Sequence, residues 1–140
     1  MHIKARTAAV MLVFIAARGM TQEHQHGDSE KLGEVHFATS CNESAQSAFN
    51  RAVSLLHSFQ FSRAIDGFNA ALQEDPTCAI AYWGIALSDW SSPFAPGQKA
   101  KAQLQLGQQS AKRGQELGAK TERERAYLAA VGALYNDFAC

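Results

Sequence analysis

The residues in this sequence that could do chemistry on their own are histidines and cysteines. His24 and His26 lie two positions apart in a polar stretch, and His36 follows. Imidazole and thiolate groups bind copper and zinc, so these residues would suit a metal-handling or redox accessory protein. Without a preorganised geometry, a solvated polar tail is the simpler interpretation. We therefore expect no bound metal and no cofactor, and keep the metal-handling or redox role as the alternative function.

No arrangement of residues typical of an active site occurs in the sequence. There is no CxxCH haem attachment, no HExxH zinc helix, no GxSxG turn and no glycine-rich loop that would hold a phosphate. His57, in the block LLHSF, follows Val53 by one helical turn, so we expect a packed, hydrogen-bonded histidine rather than a base or a ligand. The sequence predicts a protein that binds, and not an enzyme.

The first nineteen residues predict export. A basic start, MHIKAR, leads into the apolar run 7–17, and Ala17 and Gly19 have the spacing of a cleavage site, as in a secretory signal peptide. A buried N-terminal helix is the other interpretation, because the run is shorter than the roughly 20 residues that cross a bilayer core. Removing residues 1–19 leaves 10 basic and 13 acidic residues, which offers no broad basic surface to nucleic acid. We expect a periplasmic or extracellular protein without a membrane span after cleavage.

The remaining chain divides into a polar N-terminal part and a helical part. Residues 20–40 are predicted to be disordered or extended, and residues 41–138 to form an all-α domain. Apolar residues at helical spacing predict helices over 45–59, then a second that ends at Asp75 and Pro76, then 78–90, 98–117 and 122–137. Asn42 or Ser44 is the expected N-cap of the first helix, Gly118 the C-cap of the fourth, and Thr121 with Glu124 a capping box for the fifth.

Small and large apolar residues recur with a fixed period. Ala64, Phe68, Ala71 and Pro76 have the spacing A-x3-F-x2-A-x4-P, and Ala52 and Ala86 are 34 residues apart. In these positions, and in the starts Tyr82-Ile85-Ala86 and Leu128-Val131-Gly132-Tyr135, the chain resembles the tetratricopeptide repeat family. The blocks HFATSC, LLHSF and DPTCAIAYWG resemble uncharacterised exported bacterial members, which are usually longer. The resemblance covers roughly residues 44–138 and implies antiparallel helix hairpins stacked in a right-handed solenoid of about two and a half repeats.

In such a stack the first helix of each hairpin lines a concave face. By register, the residues expected there are Asn50, Ser54, His57, Trp83, Leu87, Trp90 and Asn136. Aromatic and amide groups together would suit an extended peptide or a partner helix, so we predict a protein- or peptide-binding scaffold. The simpler interpretation of Trp83 is a core residue, as aromatic residues at helical spacing usually are, whereas Trp90, beside the loop, is the better candidate for contact.

Two of the three cysteines precede the first helices of consecutive repeats. Cys41 and Cys78 would therefore be neighbours in space, and in an exported protein this predicts a disulfide between them. Two buried thiols are the alternative. Cys140 is then the odd thiol.

The fifth helix ends the chain without a partner in this interpretation. Because a repeat buries its face only against its neighbour, either a longer protein has been truncated or something else covers Tyr127, Val131 and Phe138. An unpaired fifth helix would also favour self-association.

Overall fold

The structure is a computed structural model that describes residues 32–94 and 99–136. The described residues form five α-helices and no strand: α1 Glu43–His57, α2 Phe61–Glu74, α3 Ile80–Trp90, α4 Lys101–Leu117 and α5 Glu122–Asn136. The predicted all-α class is confirmed for this part of the chain. None of these helices is long and apolar enough to span a bilayer. The expected signal peptide, the polar stretch 20–31, Phe138 and Cys140 lie outside the described residues.

Polar side chains and one glycine cap the helices where the sequence predicts it. The Oδ1 atom of Asn42 accepts a hydrogen bond from the amide of Ala45 at 2.8 Å, which caps α1. At α5, the amide of Glu124 donates to the Oγ1 atom of Thr121 at 3.2 Å, and the amide of Thr121 donates back to the Oε2 atom of Glu124 at 3.4 Å. Helix α4 ends at Gly118, whose φ of 77° costs glycine no strain.

The turn between α1 and α2 is made by a residue that was expected to end the first helix. Phe59 has a φ of 59°, the left-handed conformation in which a helix commonly terminates. Its amide donates to the carbonyl of Leu56, and the next amide, Gln60, donates to Leu55, so the last carbonyls of α1 stay paired. A phenylalanine in this conformation carries roughly 1–2 kcal/mol of strain.

The helices pack in a regular order. Helix α1 contacts α2 and α3, helix α3 contacts α2, α4 and α5, and α5 also contacts α4. Thus α1, α3 and α5 touch in succession, whereas α2 and α4 do not contact each other within the described residues. Close approach of α2 and α3 depends on Gly84, where a Cβ atom would overlap the ring of Phe68. The small and large residues that carry the 34-residue spacing are fully buried: Ala52, Ala64, Phe68, Ala71 and Ala86.

Of the two explanations for the unpaired fifth helix, cover by another part of the chain applies to Tyr127 and Val131. Val131 is only 3% exposed, on a helix that contacts α3 and α4. The ring of Tyr127 packs against Phe37 and Trp83, at centroid distances of 5.3 Å in both cases. The side of α5 that faces solvent instead carries alanines: Ala126, Ala129, Ala130 and Ala133. The N-terminal segment, which was predicted to lie outside the helical domain, supplies the cover for Tyr127 through Phe37.

Candidate functional site

The face made by α1, α3 and α5 is occupied by the chain's own N-terminal segment. We call residues 33–41 the strap; they have no helix or strand assignment. The ring of Phe37 lies at its centre and meets one aromatic ring from each helix. The centroid distances are 5.4 Å to Phe49 of α1, 5.6 Å to Trp83 of α3 and 5.3 Å to Tyr127 of α5. One strap side chain therefore touches all three helices.

Side chains of α1 hold the main chain of the strap. The amide of Phe37 donates to Oδ1 of Asn50 at 3.2 Å, and its carbonyl accepts from Nε2 of Gln46 at 2.8 Å. Gln46 also accepts from the amide of Thr39 at 2.8 Å, and the same Nε2 atom donates to Asn50 at 3.0 Å. Further along, the hydroxyl of Ser54 donates to the carbonyl of Gly33 at 2.9 Å. Positions 33, 37 and 39 meet α1 in reverse order, so the strap is elongated and antiparallel to α1.

A buried carboxylate on α5 holds the C-terminal end of the strap. Glu124, which is 1% exposed, accepts from the amide of Ser40 at 2.7 Å and from its hydroxyl at 2.6 Å. The hydroxyl of Thr121 donates to the same carboxylate at 2.9 Å. Burial acts to raise the pKa of Glu124, but the hydrogen bonds from Ser40 and Thr121 together outweigh it and leave the pKa below its ordinary value. The folded protein therefore favours the ionised form.

Two basic residues at the start of α5 cover the strap from outside. The guanidinium of Arg123 lies 4.9 Å from the centroid of the Phe37 ring and donates to the carbonyl of Ala38. The ammonium of Lys120 donates to the carbonyl of Ser40 at 3.3 Å. Both groups are exposed, so their contribution is weaker than that of Glu124.

The strap joins the helical stack at a covalent link. Cys41 and Cys78 form a disulfide with a Cα–Cα distance of 4.9 Å, which is the pair that the sequence predicts. Beside it, the amide of Asn42 donates to Asp75 at 2.9 Å, and Thr77 donates to Asp75 through its hydroxyl and its amide. The hydrogen bond from the Thr77 side chain is the main cause that lowers the pKa of Asp75, followed by the bond from Asn42.

An apolar pocket lies at the other end of the same face, beyond the strap. It has a volume of 440 Å³ and is formed where α1, α3 and α5 end. Its lining residues are Leu56, His57, Phe59, Phe61, Leu87, Trp90, Ser91, Pro93, Phe94 and Leu134. Two of the phenylalanines are strongly exposed, Phe59 by 55% and Phe94 by 81%. Apolar lining with few polar groups is the usual character of a ligand or side-chain pocket.

The structure divides the seven residues that the sequence placed on the concave face into three groups. Asn50, Ser54 and Trp83 lie under the strap. His57, Leu87 and Trp90 line the apolar pocket. Asn136 lines neither place; it lies in a groove between α4 and α5 with Gln108, Lys112 and Gln115. That Asn136 belongs to one continuous concave surface with the other six residues stays a prediction.

The histidines are not gathered in one site among the described residues. His36 is exposed and pairs with Glu34 at 3.2 Å, and His57 is exposed rather than packed as the sequence suggested. Within residues 32–94 and 99–136, no group of three His, Cys, Asp or Glu side chains could hold a metal ion. His24 and His26 lie outside the described residues.

Sequence reasoning missed the residues that hold the strap. Gln46, Arg123 and the central Phe37 were not singled out, and Glu124 was noted only as part of a capping box. Glu124 and Ser40 are 84 residues apart in the chain, so no local spacing could have paired them. Comparison of the chain with protein-family models, with curated proteins and with solved structures finds no match.

Proposed function

We propose that this protein is an exported helical-repeat scaffold of the tetratricopeptide type that binds an elongated segment of a partner protein and has no catalysis of its own. The strap carries this proposal. The face made by α1, α3 and α5 already holds a peptide segment, and it does so through amide and hydroxyl side chains that bond main-chain groups. Contacts of this kind are what a peptide-binding face uses, because main-chain bonds give affinity and pockets give specificity.

The order of helix contacts supports the repeat arrangement. In a stack of helix hairpins, the first helices of successive repeats touch and line the inner face. Helices α1, α3 and α5 touch in this order. Ala52 and Ala86, which are 34 residues apart, are both fully buried at helix contacts. These two observations favour a solenoid of about two and a half repeats over another five-helix packing.

The disulfide supports export. Disulfides persist in oxidising compartments such as the periplasm and the extracellular space, and are rare in the cytosol. The link between Cys41 and Cys78 therefore agrees with the signal peptide that the first nineteen residues suggest. The described residues offer no observation in favour of the metal-handling or redox alternative.

The apolar pocket is the open part of the proposed binding face. Leu87 is half-buried and lines it together with Leu56 of α1, Leu134 of α5 and Trp90. An apolar partner side chain would remove these groups from water, with a gain of about 25 cal/mol per Å² of apolar surface. No strap residue lines this pocket, so the described residues leave it accessible to a partner.

A peptide-display library selected against the full chain tests this function. Enriched peptides are measured by fluorescence anisotropy against the wild type, Leu87→Asp and the control Leu106→Asp. Leu106 is 57% exposed on α4 and lies outside the pocket. We expect Leu87→Asp to weaken binding by about tenfold or more, since it places a charge among apolar groups, and Leu106→Asp to leave binding unchanged. Failure to enrich any peptide, or equal loss in both variants, would contradict the proposal.

A further inference from the structure

The strap forms a thin layer over buried residues of α1 and α3, which we call the floor. Each of residues 32–41 is exposed or half-buried, whereas the floor beneath them is buried: Phe49 is 0% exposed, Ser54 7% and Trp83 8%. The floor belongs to α1 and α3, which are held together by the rest of the core. Replacing the strap by another segment would thus exchange surface contacts and leave the helical core in place.

Leu32 and Val35 of the strap region pack against the core, and Ser40 is bonded by Glu124. Between these ends, the floor recognises two side-chain features of the strap, an aromatic ring and a hydroxyl. Asn50, Gln46 and Ser54 bond main-chain atoms of residues 33, 37 and 39, which any elongated segment presents. The ring of Phe37 is the only strap side chain that meets aromatic rings of all three helices. The second feature is a hydroxyl two residues later, because Thr39 donates through Oγ1 to Gln46 at 2.8 Å.

We infer that the strap is an intramolecular stand-in for the partner, and that the partner is an elongated peptide segment with an aromatic residue followed two positions later by a hydroxyl residue. This inference rests on the proposed function and names the partner class of the same face. The partner segment lies antiparallel to α1, with its aromatic ring between Phe49, Trp83 and Tyr127. Strap and partner compete, so the apparent affinity for the partner is reduced by the fraction of molecules in which the strap is bound.

A peptide copy of the strap provides the probe. The labelled peptide LGEVHFATS, which is the sequence of residues 32–40, is titrated against the full chain with its disulfide intact. The matched control peptide has alanine in place of the phenylalanine. The protein is compared as wild type, as Phe37→Ala, which weakens the strap, and as Glu34→Ala. Glu34 is an exposed strap residue that pairs with the exposed His36.

We expect Phe37→Ala to bind the phenylalanine peptide at least about tenfold tighter than the wild type or Glu34→Ala does, because the competing ring is gone. The alanine peptide should bind none of the three proteins measurably. Equal affinity of wild type and Phe37→Ala would overturn the inference. So would equal affinity of the two peptides.

A second measurement uses the wild-type chain and covers the case in which Phe37→Ala does not fold. Saturating peptide should speed hydrogen exchange at the amides of Phe37 and Thr39, which lose their bonds to Asn50 and Gln46 when the strap is displaced. Binding that leaves both amides unchanged would mean that the peptide sits elsewhere, and the inference would be wrong. If the strap peptide fails but library peptides still bind through Leu87, the proposed function stands and only this inference fails.

Discussion

Replacing Glu124 by glutamine tests the contact on which the position of the strap depends most. The carboxylate is 1% exposed and accepts hydrogen bonds from Ser40 and Thr121. Glutamine has nearly the same shape, but one of its two terminal groups donates and cannot accept. Whichever way the amide is oriented, one donor of the strap or of the capping box loses its acceptor.

The expected loss follows from these contacts. A hydrogen bond to a charged group contributes about 1.5–3 kcal/mol, and a buried donor left unpaired costs a further 1–3 kcal/mol. Since part of the strap remains solvent-accessible, we expect the free energy of unfolding to fall by about 3 kcal/mol. Urea denaturation followed by circular dichroism at neutral pH measures this value. The control is Glu122→Gln, an exposed glutamate in the same first turn, for which the loss should be only about 0.3–1 kcal/mol.

The pH dependence of the free energy of unfolding provides a second test of the same contact. The pKa of Glu124 is lower in the folded state than its ordinary value of 4.5. The ionised carboxylate therefore stabilises the folded protein fully above the unfolded-state pKa. This stabilisation is lost as the pH falls through the folded-state pKa. The difference in unfolding free energy between wild type and Glu124→Gln should therefore shrink as the pH falls below 4.5. A difference that stays constant with pH, or a loss no larger than that of Glu122→Gln, would refute the reasoning.

Two further predictions concern the first hairpin. Phe59→Gly should be more stable than Phe59→Ala by about 1 kcal/mol. Both variants lack the ring, and only glycine adopts a φ of 59° without strain. Equal thermal midpoints of the two variants would argue against strain at this turn. Replacing Cys41 and Cys78 by serine should lower the free energy of unfolding by about 3–4 kcal/mol, as expected for a link across 37 residues. Cys140→Ser is the control, and addition of reductant should bring the wild type, but not the double variant, to the lower stability.

The helices and their caps follow from the sequence because they depend on neighbours in the chain. The spacing of apolar residues, the Asn42 cap, the Thr121 and Glu124 pair and Gly118 all act within one or two turns of a helix. The pairing of Cys41 with Cys78 also came from the sequence, through the repeat resemblance. Phe59 is an exception, since its apolar side chain suits a helix and only the sharp turn to α2 requires its left-handed conformation.

The strap could not be predicted by the same reasoning. Val35 and Phe37 were recognisable as apolar residues in a non-helical segment, but the position of Phe37 depends on rings that come from three helices. Trp83 illustrates the difficulty. Its helical spacing agreed with both a core residue and a groove residue. In the structure Trp83 is only 8% exposed and belongs to the hydrophobic core, where the ring of Phe37 stacks on it.

The disulfide has a mechanical consequence. It connects Cys41 to Cys78 directly across 37 residues that include the whole of α1 and α2. A tension applied to the chain N-terminal to Cys41 passes through the sulfur atoms to the start of α3 and bypasses the first hairpin. A pulling force applied N-terminal to Cys41 would detach the strap from the floor without placing a load on α1 and α2.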